Sequence, residues 1–197
     1  MALVQSMYRS FGLLAMTLTV LGIAAPVHAQ DAKPVEVSGG YQYLAAKSKG
    51  DSDFTKFPAG WYADVAFNVS PVVAIVGNVG GNYKTETEGG SDFKLKVHEF
   101  MGGVRVHARK SMIAPFGQVL VGGVNVKGSG SGFSQSENDL GFILGGGVNI
   151  MPMGAKAGIR GGVDYVRIKA KSGGDVLGGD DVNGFRFVVG IVFGLGG

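Results

Sequence analysis

Seven ionisable residues stand at alternate positions in stretches whose other face is bulky hydrocarbon: Glu36, Asp64, Arg105, Lys156, Arg160, Asp164 and Arg186. Their own face carries glycine and small polar residues, and His107 with Asn68, Asn78, Asn82, Asn125 and Asn149 accompanies them. Both signs of charge occur. If this face is shut away from water the charges must pair, since removing one partner of a buried ion pair costs about 3–5 kcal/mol. The chemistry on offer is a network of ion pairs, acting either as a rigid polar filling or as a gate whose partners exchange. Spacing suggests the pairings. Asp164 and Arg186 flank one long connection symmetrically and can face each other on neighbouring strands, Asp64 can join Arg186 where the first and last strands meet, and Glu36 and Lys156 lie low, near the opposite end.

Catalysis has less to work with. Hydrolysis or acyl transfer on a lipid needs a serine nucleophile, a histidine base and an acid that orients it. Beyond residue 30 the histidines are His98, followed by Glu99 and Phe100, and His107, followed by Ala108 and Arg109, so neither has a serine close by on its own face. The chain has no cysteine, which excludes thiol nucleophiles, thiolate zinc sites and disulfides together. Two histidines near opposite ends of one segment do not share an ion. The stretch Ser172–Asp181 has a Gly-Asp run without a repeat register, and with Glu86, Glu88 and Asp92 it offers acids for a divalent cation that bridges lipopolysaccharide. Calcium takes roughly 6–8 oxygen ligands, so a solvated loop is the plainer reading. No catalytic residue, cofactor or metal is expected. Eighteen Lys and Arg against fifteen Asp and Glu give a formal charge of +3, spread along the chain and without the basic stripe that nucleic-acid binding needs.

The elements that must position these residues are strands. Thirty-six glycines and six prolines in 197 residues argue against a helical bundle. Residues 1–29 read as a secretory signal peptide, with Arg9, the apolar run Phe11–Ala25, Pro26 and the small-residue ending Val27-His28-Ala29; the run is shorter than the roughly 20 residues of a spanning helix. One domain over residues 30–197 follows. In it eight segments alternate at period two: 35–45, 60–70, 72–85, 93–109, 112–126, 140–151, 155–170 and 185–195. Tight turns at Asn68–Pro71, Arg109–Ser111 and Met151–Gly154 alternate with longer polar connections at 47–59, 86–92, 127–139 and 171–184. That rhythm is an up-and-down meander, with the tight turns and both termini at one end.

Orientation decides the function class. Trp61, Ala63, Val65, Phe67 and Val69 oppose Tyr62, Asp64, Ala66 and Asn68, and Phe185, Phe187, Val189, Ile191, Phe193 and Leu195 oppose Arg186, Val188, Gly190, Val192 and Gly194. An eight-stranded barrel has room inside only for modest side chains. The bulky face must then point outward, where only lipid tolerates it, and a closed barrel leaves no backbone group unpaired in hydrocarbon. The reading is an all-β, eight-stranded antiparallel up-and-down transmembrane β-barrel of the bacterial outer membrane, preceded by a cleaved signal peptide. Segments four and seven lose parity, which predicts β-bulges near His98-Glu99 and Tyr165-Val166, or strand ends that rise above the bilayer. Trp61, Tyr62, Tyr83 and Tyr165 suit an interfacial girdle, and Gly128–Gly132 a flexible loop.

These residues resemble the small outer-membrane β-barrel domain family, the eight-stranded OmpA-type and OmpX-type barrels known as porin family proteins. The resemblance runs from Val35-Glu36-Val37-Ser38-Gly39-Gly40-Tyr41 through Ala114-Pro115-Phe116-Gly117 to the last segment, Phe185–Phe193. It implies that Gly190, Phe193 and Leu195 form a C-terminal signal read by the barrel-assembly machinery, although the chain runs on to Gly196 and Gly197 and carries Val188 where a polar residue is usual. The role expected is structural or one of surface interaction through the loops, amid outer-membrane lipid and lipopolysaccharide and with no surface partner named. The alternatives are a narrow channel for small solutes and a lipid-modifying enzyme. The family hosts unrelated roles, so the site must supply the function.

Overall fold

Alternation of outward hydrocarbon with inward small or polar residues produces strands along most of the described residues. The computed structural model describes residues 33–49, 52–88, 91–109, 112–130, 133–152, 154–170 and 180–196. The expected leader over 1–29 and most of the connection at 172–181 lie outside the described residues. The strands are β1 (Val35–Ser48), β2 (Thr55–Phe57), β3 (Ala59–Asn68), β4 (Val73–Glu88), β5 (Ser91–His107), β6 (Ile113–Gly130), β7 (Phe133–Ile150), β8 (Ala157–Lys169) and β9 (Val182–Leu195). Each long strand pairs antiparallel with the next, and β9 returns to β1 from Val35↔Leu195 to Ser48↔Val182, closing an eight-stranded barrel.

β2 is an upper piece of β3. Leu44 faces Phe57 while Tyr41 faces Trp61, so Gln42 and Tyr43 lie opposite Pro58, Ala59 and Gly60. Proline has no N–H for the ladder, and the chain absorbs the extra residue there as a bulge. Followed once round the barrel, the pairing that starts at Ser38 passes Asp64, Asn78, Met101, Gly122, Gly141, Ile168 and Val182 and comes back to β1 at Ser48. Such a stagger tilts every strand steeply to the barrel axis.

The turns at one end are short for local reasons. The Ser70 hydroxyl accepts from the Val72 and Val73 amides, and Val69 N donates to Val73 O at 3.0 Å. In the β7–β8 turn Ala155 N donates to Pro152 O and Gly154 takes a left-handed φ of 76°, which a residue with a Cβ resists.

The bulky face looks outward. Phe67, Ile75, Phe100, Val119, Leu144, Ile159 and Val189 are all exposed, and Phe100 reaches 63 %. Inside, Asp64, Glu99, Arg105, Arg160, Asp164 and Arg186 are at 4 % or less. Exposed hydrocarbon around a ring of buried ions is the inverse of a water-soluble protein.

The parity-breaking segments carry no bulges. β5 keeps one register against β4 from Val73↔Val106 to Glu88↔Ser91, and β8 keeps one against β7 from Leu140↔Lys169 to Ile150↔Ile159. Leu95, Val97, Val166 and Ile168 turn inward instead, because the lumen is not polar throughout. With Leu44, Phe57, Val126 and Val182 they line its loop end largely with hydrocarbon, beside the buried Asp139. The hairpins also reach further than the sequence suggests, so that Gly128–Gly130 belongs to β6 and pairs with Phe133–Gln135.

Val189, half-exposed near the middle of β9, tests the orientation. Val189→Arg lowers the unfolding free energy in lipid vesicles by about 2–4 kcal/mol, the cost of a cation at the bilayer midplane. A substitution without effect in urea titration would mean that this face is wet.

Candidate functional site

Inward parity on five strands, with one turn residue, delivers a continuous ladder of charges through the lumen. At its upper end Arg186 of β9 donates to Glu99 of β5. These strands lie four places apart in either direction around the barrel, so the pair spans its diameter. The same guanidinium grips Asp164 of β8 through Nε at 3.0 Å and Nη2 at 2.6 Å and donates to Asn78. Asp164 accepts from Gln118 Nε2 at 2.9 Å, and Gln118 Oε1 accepts from Arg105 Nε and Nη2 at 3.0 and 2.8 Å. Arg105 then forks onto both oxygens of Asp64, at 3.3 and 2.9 Å. Asp64 also takes Arg160 Nη1 at 2.6 Å, and Arg160 further donates to Ser38 and Asn149. At the turn end Arg160 approaches Glu36 at 3.7 Å, and Glu36 is held by Arg109, which also bonds Asn68 at 3.0 Å.

Four carboxylates, Glu36, Asp64, Glu99 and Asp164, thus meet four guanidiniums, Arg105, Arg109, Arg160 and Arg186. The ladder is neutral in sum. Arg105 and Arg160 lie over the Phe116 ring at 4.8 and 5.1 Å from its centroid, so an aromatic face adds to their surroundings. Gly145 makes room for Asp164: a Cβ there would collide with the Asp164 carboxylate and with the backbone of β8.

Several residues sit elsewhere than the spacing suggests. Lys156 is exposed in the turn before β8 and makes no ion pair among the described residues, because it precedes the strand and escapes its inward parity. Arg109 takes the place beside Glu36. Asp64 binds Arg105 and Arg160, not Arg186, since the tilt of the strands carries Arg186 well above it. Asn125 faces outward and bonds Ser136 and Asn138. Tyr62 is buried at 3 % exposure, one position out of phase with the girdle. The girdle on that side is Trp61, whose Nε1 donates to the Tyr83 hydroxyl at 3.1 Å, with Tyr83 contacting His98 at 3.2 Å and Tyr41 bonding the Pro58 carbonyl. His98 is therefore outside and His107 inside, so the two histidines do not meet.

Glu99, Gln118 and Arg109 are members that the sequence reading misses. Strict alternation from Arg105 back through Met101 and Val97 would have put Glu99 on the inner face, but the inward hydrocarbons on that segment disguised the parity. Gly190, Phe193 and Leu195 all lie in β9, where Gly190 pairs with Gly40 and Arg160, and Phe193 and Leu195 are exposed on the outer face near the turn end.

The family model described as "Outer membrane protein beta-barrel domain" matches residues 15–193. The chain belongs to this family. Among solved structures, this outer-membrane barrel is similar to Neisserial surface protein A, with a TM-score of 0.63, 13% identity, and coverage of 84% of this chain and 100% of that one. It is also similar to Ail, the attachment invasion locus protein of Yersinia pestis, solved in complex with the heparin analogue sucrose octasulfate. There the TM-score is 0.54, the identity 18%, and coverage 81% of this chain and 97% of that one. No curated protein matches the sequence. At these identities the likeness shows the fold. The barrel is an integral protein of the bacterial outer membrane with a packed, polar and ion-paired lumen.

Since each guanidinium in the ladder serves more than one acceptor, removing one strands several. Arg105→Met and Arg186→Met each lower the unfolding free energy by about 3–5 kcal/mol in urea titrations of the folded barrel, whereas Lys156→Gln leaves it unchanged. A double-mutant cycle on Glu99 and Arg186 gives a coupling of about 1–3 kcal/mol if the pair acts directly.

Proposed function

We propose that this barrel serves as a structural element of the outer membrane that presents its loop end for contact, and that its lumen is a plug without catalytic function. The observation that carries the reading is the stacking of two fillings. The neutral ionic ladder occupies the middle and turn end, and a collar of Leu44, Phe57, Val97, Val126 and Ile168 occupies the loop end. An ion crossing the lumen has to break charge-assisted hydrogen bonds and then pass a mostly apolar collar in which Asp139 is the buried charge, and both steps are costly. A narrow channel is the second reading. It is favoured by buried polar atoms of Gln42, Asn82 and His107 that have no hydrogen-bond partner among the described residues, since such groups call for internal water.

Lipid chemistry remains a third reading, resting on His98 and His107 alone. The mature domain is taken as residues 30–197, exported by the leader at 1–29. Outer-membrane lipid surrounds the barrel, and lipopolysaccharide of the outer leaflet is its proposed neighbour at the loop end. The barrel-assembly machinery is its proposed partner during biogenesis, through Gly190, Phe193 and Leu195.

Two measurements separate these readings, and a third tests the assembly signal. In planar bilayers the folded protein gives no reproducible openings; discrete conductance steps that disappear in Arg186→Ala or Asp164→Ala would establish the channel instead. Incubation with labelled lipopolysaccharide yields no product, and a product lost on changing His98 or His107 would establish an enzyme. Phe193→Ala reduces the folded, heat-modifiable fraction in membranes several-fold, and unchanged assembly would remove Phe193 from the signal.

A further inference from the structure

On the outer face of β5 and β6, Lys96 pairs directly with Lys127, and Lys94 follows two residues along the same face. All three are exposed and make no ion pair among the described residues. Like charges directly opposite on a sheet repel, so this arrangement stabilises nothing by itself. Hydroxyls ring it: Thr85 and Ser129 stand opposite Lys94, and Ser136 opposite Lys127. Two other cations at the loop end have an anion, with Arg167 on Asp181 at 2.8 Å and Lys84 on Glu86 at 2.5 Å.

The height of the patch names its ligand. Phe100, outward on the same face of β5 and 63 % exposed, faces acyl chains. Lys96 lies about 10 Å nearer the loop end once strand rise and tilt are allowed for. Between them come His98 and Asn125, which pair with each other across the strands, the polar belt that marks an interface. The ammonium groups therefore project sideways from the barrel wall into the headgroup layer. A soluble polyanion would instead meet the loop tips from above.

We propose that Lys94, Lys96 and Lys127, with the hydroxyls of Thr85, Ser129 and Ser136, form a site for the phosphate group of an anionic glycolipid in the outer leaflet. The proposal rests on the outer-membrane placement of the barrel and is independent of whether its lumen conducts. A phosphate between Lys96 and Lys127 relieves their repulsion, and the hydroxyls and ammonium protons supply donors to its oxygens. A basic group held at a charged lipid surface contributes roughly a five-fold gain in affinity.

Trp61, the single tryptophan of the chain, bonds Tyr83, which stands directly opposite Lys96, and so reports on the patch. The folded barrel in phosphatidylcholine nanodiscs is titrated with dansyl-labelled lipid A, in bisphosphorylated and dephosphorylated forms, and energy transfer from Trp61 is followed. The bisphosphorylated lipid is enriched at the barrel and the dephosphorylated form is not. The double variant Lys96→Gln with Lys127→Gln weakens binding about 25-fold, the corresponding arginine pair keeps it, and Lys169→Gln on the far rim leaves it unaltered. Equal binding of both lipids, or an unaffected glutamine double variant, overturns the site. Displacement by inorganic polyphosphate as readily as by lipid overturns the lipid source in favour of a soluble polyanion. Failure of the barrel to enter nanodiscs at all, read by heat-modifiable mobility, would instead refute the membrane placement beneath the proposal.

Discussion

The narrowness of an eight-stranded lumen governs this protein. Four guanidiniums and four carboxylates share a space with almost no bulk water, so none of them tolerates being left alone. Each arginine accordingly bridges acceptors on different strands, and the bridges run across the lumen as well as between neighbours. Inward glycines such as Gly145, and outward hydrocarbon along every strand, follow from the same shortage of space. What the interior cannot hold must face the membrane.

The same constraint explains how much could be read from residues alone. Outward and inward faces were legible on β3, β7 and β9 because period-two alternation there is unbroken, and a small barrel cannot turn Trp61, Phe142 and Phe187 inward. The pairing of Asp164 with Arg186 was legible too, since both flank one connection at equal spacing. Harder were the places where the lumen changes character. Leu95, Val97, Val166 and Ile168 read as lipid-facing when inward positions are taken to be polar, and that reading needs either a bulge in each strand or strand ends that rise above the bilayer. The error hid Glu99. Pairings between strands that are not neighbours, such as Arg105 of β5 with Asp64 of β3, depend on the stagger of the whole sheet, which no local pattern contains. The same is true of Arg109, which lies just beyond its strand yet reaches back to Glu36.

Inside and outside solve the charge problem in opposite ways. Within the lumen each arginine of the ladder has its anion built in. On the outer rim of β5 and β6 the sequence places cation against cation and provides no described anion. Compensation there has to come from the surroundings, which makes the rim, more than the lumen, the part of the barrel that is chemically addressed to its environment.

The bridge from Arg186 to Glu99 joins the final strand to the one diametrically opposite it. Until β9 docks along β1, Glu99 and Asp164 both lack their main counter-ion, and a half-inserted chain holds bare carboxylates in a cavity closing around them. Seven strands therefore have little reason to persist without the eighth. The lumen acts as a lock that is set only by the last piece of chain to arrive, so closure of the wall and completion of the core are a single event.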